Sequence, residues 1–131
     1  MGFRFSLKMD FGSWPTWYAD GERCGDFDPA ELPLSQDTLK RLNKWADVYN
    51  SAYEDDYPYR FNFPSPETER LWSREGFRLW AQLHHELGSD YQVSSKIFYQ
   101  DKDLTVTFGQ LPEEITSRCK DDIDNASQSL L

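Results

Sequence analysis

The segment from Ser65 to Gly88 constrains the fold more than any other stretch of the chain. Ser65 is a helix N-cap, and Pro66 takes the first helical position, where its missing N–H removes nothing. Glu67 and Glu69 follow in the first turn, where negative charge suits the helix dipole. Leu71, Trp72, Gly76, Leu79, Trp80, Leu83 and Leu87 then recur on one face, and Gly88 supplies the stop. The spacing predicts a long helix with one buried stripe. A mid-helix glycine costs roughly 1 kcal/mol relative to alanine. Gly76 lies on the stripe itself, which implies close approach by a neighbouring element.

A second helix is expected from about Ser35 to Tyr53. Ser35 is its cap, Asp37 sits in its first turn, and Leu39, Leu42, Ala46, Tyr49 and Tyr53 recur at three- and four-residue spacing, widened by Trp45 and Ala52. Pro58 ends helical structure in the segment that follows, because a proline pushes the preceding Tyr57 out of the α region. Strand patterning appears at both ends of the chain. Phe3, Phe5, Leu7, Met9 and Phe11 alternate with Arg4, Ser6, Lys8 and Asp10, as a half-buried strand requires. Tyr91, Val93, Ser95, Ile97 and Tyr99 alternate likewise, as do Leu104, Val106 and Phe108, with Gln100 to Asp103 as the turn of a hairpin. From Trp14 to Pro33 no period persists, so a long ordered loop is expected, with one helical turn near Pro29-Ala30-Glu31. Trp14 and Trp17 are expected to cover the sheet end. Pro112-Glu113-Glu114 opens a last short helix carrying Ile115, Cys119 and Ile123.

The fold class that follows is α+β: a single domain over residues 1–124, with two long helices packed on one face of a small antiparallel sheet. The N-terminal strand and the C-terminal hairpin form that sheet, and residues 125–131 are expected to fray. At 131 residues the chain is large enough to bury one core without staples.

Chemistry is sparse. The two histidines, His84 and His85, are helix neighbours pointing about 100° apart and cannot share a metal ion. Cys24 and Cys119 belong to no CxxC pair, so free thiols in a reducing cytoplasm are expected. The acids Asp20, Glu22, Asp26 and Asp28 miss the EF-hand spacing. Between Gly12 and Gly25 neither GxxxxGK[ST] nor GxGxxG occurs, so phosphate cradling lacks support. No stretch approaches about 18 consecutive apolar residues, the length a membrane span needs. The expectation is a non-enzyme with no metal and no cofactor.

Charge is more informative. Lys and Arg number 14 against 23 Asp and Glu, a formal net charge of −9. Such a chain repels nucleic acid and anionic membranes and is steered toward basic partners. The acids cluster in two places. Asp20, Glu22, Asp26, Asp28 and Glu31 load the first loop against Arg23 alone, and Glu54, Asp55 and Asp56 precede Tyr57, Pro58, Tyr59, Arg60 and Phe61. Acids beside rings suit a basic, concave surface, the carboxylates pairing with Arg or Lys while the rings anchor. The alternative is that Tyr57, Phe61 and Phe63 fold back as a lid under a solvated tip. Glu54, Asp55, Asp56, Tyr57 and Tyr59, with Asp26 and Asp28 as additions, are the candidate partner-binding residues.

Several runs are familiar. Gly12-Ser13-Trp14-Pro15-Thr16-Trp17, Leu32-Pro33-Leu34-Ser35, Leu42 through Trp45-Ala46-Asp47-Tyr49, Phe63-Pro64-Ser65, Glu75-Gly76, Leu79-Trp80 and Glu86 through Val93 resemble a group of small acidic bacterial proteins. Some of that group are similar to immunity proteins of contact-dependent growth inhibition and other polymorphic toxin systems. The resemblance covers roughly residues 3 to 98. It implies a cytoplasmic antidote that binds a delivered toxin domain and blocks its active site. Such toxins are often nucleases with basic clefts, which would meet an acidic inhibitor. A non-catalytic interaction module without a toxin partner fits the residues as an alternative.

Overall fold

A computed structural model describes residues 2–54, 60–61 and 63–131, with 53, 54, 60 and 61 as backbone only. Strand β1 (Phe3–Leu7) buries Phe5 and Leu7 and leaves Arg4 exposed, so its alternation is used as the sequence requires. It lies at the centre of a five-stranded sheet of order β3-β2-β1-β6-β7. Here β2 is Thr16–Tyr18, β3 is Asp26–Phe27, β6 is Tyr91–Tyr99 and β7 is Lys102–Thr107.

The α+β class stands, and the sheet is mixed. Three neighbouring pairs are antiparallel, while β1 runs parallel to β6, with Phe3 opposite Tyr91 and Ser6 opposite Ser94. Parallel neighbours need a crossover connection, and both long helices lie in the chain between these two strands. The expected loop from Trp14 to Pro33 contains β2 and β3. Strands of three and two residues are too short to display a period; β2 is set by pairing with β1, and β3 by pairing with β2. The helical turn at Pro29–Glu31 is present as a 3-10 turn.

Helix α1 (Gln36–Ser51) begins where Ser35 Oγ accepts the Thr38 N–H at 3.2 Å. Helix α2 (Pro66–Leu87) begins where Ser65 Oγ accepts the Thr68 N–H at 3.1 Å, and it ends at Gly88 with φ of 76°. Between them a short pair, β4 (Tyr53–Glu54) and β5 (Arg60–Phe61), forms a separate antiparallel ribbon.

Gly76 meets the expectation set by its place on the stripe. A Cβ built there would lie 2.8 Å from Trp45. The Trp45 ring is stacked on Trp72 at 4.4 Å with an interplanar angle of 3°. Trp45 Nε1 donates to the Trp72 carbonyl and Trp72 Nε1 to the Trp45 carbonyl, at 2.9 and 2.8 Å. The helices are thus clasped through two indoles, with glycine making the room. The core continues through Phe5, Leu7, Leu42, Leu79, Leu83 and Val93, and Trp80 Nε1 donates to the Val93 carbonyl at 2.8 Å.

The β6–β7 hairpin turns at Gln100 and Asp101, both at positive φ (52° and 62°). That is the geometry of a two-residue turn whose twist matches the strands. β7 therefore starts at Lys102, inside the expected turn.

The C-terminal region departs from expectation. One helix becomes two, α3 (Glu113–Arg118) and α4 (Lys120–Asp124), divided at Cys119 with φ of −104°. Residues 125–131, expected to fray, lie against α1 and α2. Arg41 Nη1 donates to the Ala126 carbonyl at 2.7 Å, Arg78 Nη2 donates to the Asn125 carbonyl, and Ala126 is buried. Ser129 Oγ and the Leu130 N–H donate to Glu75 at 2.8 and 3.3 Å. The reason is Glu75 itself. It is fully buried and ion-paired to Arg41 at 2.9 Å, and a buried carboxylate needs its remaining lone pairs satisfied. The tail supplies those donors.

Candidate partner-binding surface

The acidic ribbon follows directly from α1. Tyr53 pairs with Phe61 at the base of the ribbon, and Glu54 with Arg60 on its loop side. Asp55, Asp56, Tyr57 and Tyr59 lie outside the described residues.

The two candidates from the first loop have structural work to do. Asp26 Oδ2 accepts the Trp14 N–H at 2.6 Å, and Asp28 Oδ1 accepts the Ala30 N–H at 2.9 Å, capping the 3-10 turn. Through Trp14, Asp26 holds the β1–β2 loop. The β1–β2 loop it holds is also tied to the end of α1, where the Gly12 N–H donates to Asn50 Oδ1 at 2.9 Å. Three residues beyond Asn50 the ribbon begins. No comparable link joins Asp28 to the ribbon among the described residues.

Other first-loop acids are spent locally. Asp20 accepts from Arg23 at 2.7 Å, and Arg23 lies over the rings of Tyr18 and Phe3 at 4.4 and 5.1 Å. The side-chain hydrogen bond from Arg23 lowers the Asp20 pKa to about 2. Trp17 does not cover the sheet end. It pairs with Ser6 on the helix-free side, under Lys8 Nζ at 4.6 Å, and donates from Nε1 to the Lys8 carbonyl at 3.1 Å. Trp14 is 44% exposed, contrary to expectation, with its backbone N–H held by Asp26.

At the same end a cleft of about 310 Å³ opens between the helices and β6. Trp45, Trp72, Phe77, Trp80 and Ile97 line it, with Lys96 at its rim. Elsewhere on α2, burial and the neighbouring His85 lower the pKa of His84, whose ring lies 4.9 Å from Phe108. Glu86 is lowered too. Burial raises its pKa, but hydrogen bonds from Gln82, the Ser35 N–H and Thr38 outweigh that effect. Among the described residues no group of three or more His, Cys, Asp or Glu is placed to hold a metal ion, and no helix is long and apolar enough to cross a membrane. The described part of this surface comprises the short ribbon that carries Glu54 and the β1–β2 loop tied to α1 and to β3.

Comparison with protein families matches residues 4–100 to the family described as Serratia CdiI immunity protein-like. The chain belongs to that family. The match includes most of β1, both long helices, the acidic ribbon and all of β6, and stops before β7 and the docked tail. No curated protein matches the chain significantly. The matched span contains residues that shape the scaffold, such as the Trp14–Trp17 run, the Ser65 cap and Gly76. Sequence reasoning missed the buried Arg41–Glu75 pair, since Glu75 sits beside the apolar stripe as any solvated acid might. The one signal was its adjacency to Gly76, at the point where α1 comes closest.

Proposed function

We propose that this immunity-family protein is a non-catalytic antidote that binds a basic, nuclease-type toxin domain and occludes its active site. Family membership over residues 4–100 supports this reading. The acidic ribbon next to α1 supports the mode of binding. Glu54, Asp55 and Asp56 stand in for the phosphates of the toxin's substrate, while Tyr57 and Tyr59 anchor against the walls of the cleft. The net charge of −9 steers the encounter with a positive surface and makes it sensitive to salt. The partner is a protein, with no role for nucleic acid or membrane, and the encounter takes place in the cytoplasm.

The test is co-expression with the C-terminal toxin domain encoded immediately upstream, followed by isolation of the complex and mass spectrometry. A one-to-one complex weakened by salt is expected. Replacing Asp55 and Asp56 by lysine should weaken it by roughly 2–5 kcal/mol, the range for charges that meet buried partners. Unchanged affinity in that variant would remove the ribbon from the interface. Failure of the wild-type chain to bind a basic toxin domain would overturn the antidote reading itself.

A further inference from the structure

Four rings meet where β1 and β6 begin. Phe5 points into the core, so Phe3, two residues before it, and Tyr18, paired with it, lie on the same side of the sheet. Tyr91 pairs with Phe3, and Phe27 with Thr16, again on that side. The rings touch one another. Phe3 stands edge-on to Tyr18 and Phe27, with centres 6.3 and 5.9 Å away, and lies 6.0 Å from Tyr91, while Tyr18 stacks on Phe27 at 4.6 Å. Glu31 and Leu32 from the 3-10 turn, and Arg23 from the β2–β3 loop, complete the walls of a cavity of about 200 Å³.

Arg23 shows what these rings hold. Its guanidinium carbon is 4.4 Å from the centre of Tyr18 and 5.1 Å from that of Phe3, within the range at which ring faces attract cations. That guanidinium already has its anion, because Nε and Nη2 both donate to Asp20 Oδ2, at 3.0 and 2.7 Å. The two charges cancel. Glu31 has no such balance: it is exposed, and none of the ion pairs among the described residues uses it. The cavity therefore combines ring faces that favour a cation with one uncompensated carboxylate and room beside Arg23. An anion entering it would have to draw Arg23 away from Asp20 and would meet the negative faces of the rings. A cation has only to displace water.

We infer that this aromatic box is a binding site for an organic cation, a guanidinium or alkylammonium group, with Glu31 as counter-ion and Phe3, Tyr18 and Tyr91 as walls. The inference stands apart from the antidote reading, since the box is built at the start of β1 and the ribbon follows the end of α1. Two sources share this chemistry: an Arg or Lys side chain of a basic protein, and a free small cation.

The experiment titrates the protein with N-acetyl-arginine amide at low salt and follows backbone amides by NMR, with N-acetyl-glutamine amide as the uncharged control. Saturable shifts centred on Tyr18, Glu31 and Tyr91, absent with the control, are expected. Glu31→Gln and Tyr91→Leu should each weaken binding at least about threefold, whereas Glu113→Gln, which removes the same charge on α3, should not. The NMR spectrum itself shows that each variant is folded, and Glu31→Gln alters an exposed side chain only. Shifts that do not saturate, that scatter over the acidic surface, or that persist unchanged in Glu31→Gln overturn the inference and would leave the rings as a clamp for Arg23 alone. Adding the upstream-encoded toxin domain then separates the sources. Displacement of the probe assigns the box to a side chain of that protein, and retention assigns it to a free cation.

Discussion

Replacing Gly76 by alanine sets two effects of opposite sign against each other. Alanine is favoured over glycine in a helix interior by up to about 1 kcal/mol. The added methyl would lie 2.8 Å from Trp45 Cζ2 and 3.1 Å from its Cε2. Contacts that short require the ring to move. Trp45 cannot retreat easily, because it is stacked on Trp72 and reciprocal indole hydrogen bonds fix both rings. Overpacking of this kind costs typically 1–3 kcal/mol, and a ring fixed by stacking and two hydrogen bonds falls toward the upper end. The net expectation is a destabilisation of about 1–2 kcal/mol. Urea denaturation followed by circular dichroism reads this as a midpoint lowered by roughly 0.5–1 M. The same substitution in a Trp45→Phe background should be neutral or stabilising, since the smaller ring vacates the space. A Gly76→Ala protein about 1 kcal/mol more stable than wild type would refute the reasoning, because it would mean the indole clasp yields at no cost.

Two further predictions concern charge. Glu75→Ala leaves the Arg41 guanidinium without its buried carboxylate and removes the acceptor for Ser129 and Leu130, so it should cost about 3–5 kcal/mol. It should also make residues 125–131 sensitive to carboxypeptidase; resistance equal to wild type would show that the tail is held by other contacts. Asp20, with a pKa lowered to about 2, should titrate well below the other surface carboxylates by NMR. A depressed carboxylate contributes stability above its unfolded pKa of about 3.8, and that contribution fades as pH falls through about 2. In Arg23→Ala the midpoint should return toward 3.8; an unmoved midpoint would assign the shift to the turn N–H groups instead.

What the sequence alone determined follows from local physics. The caps at Ser35 and Ser65, the stripe through Leu79 and Leu83, the alternation in β1 and the hairpin are each written within a short span, because helix and strand periods are local quantities. Gly76 announced a close approach without naming the partner. Tertiary structure alone decided the rest. β2 exists because β1 offers it an edge and β3 because β2 does, and the parallel register of β1 with β6 depends on the intervening helices. The tail docks because Glu75 and Arg41, 34 positions apart, are buried together and need further partners. Periodicity reports which side of an element is buried; which exposed residues become neighbours is set by topology, where contacts are long-range and no local pattern records them.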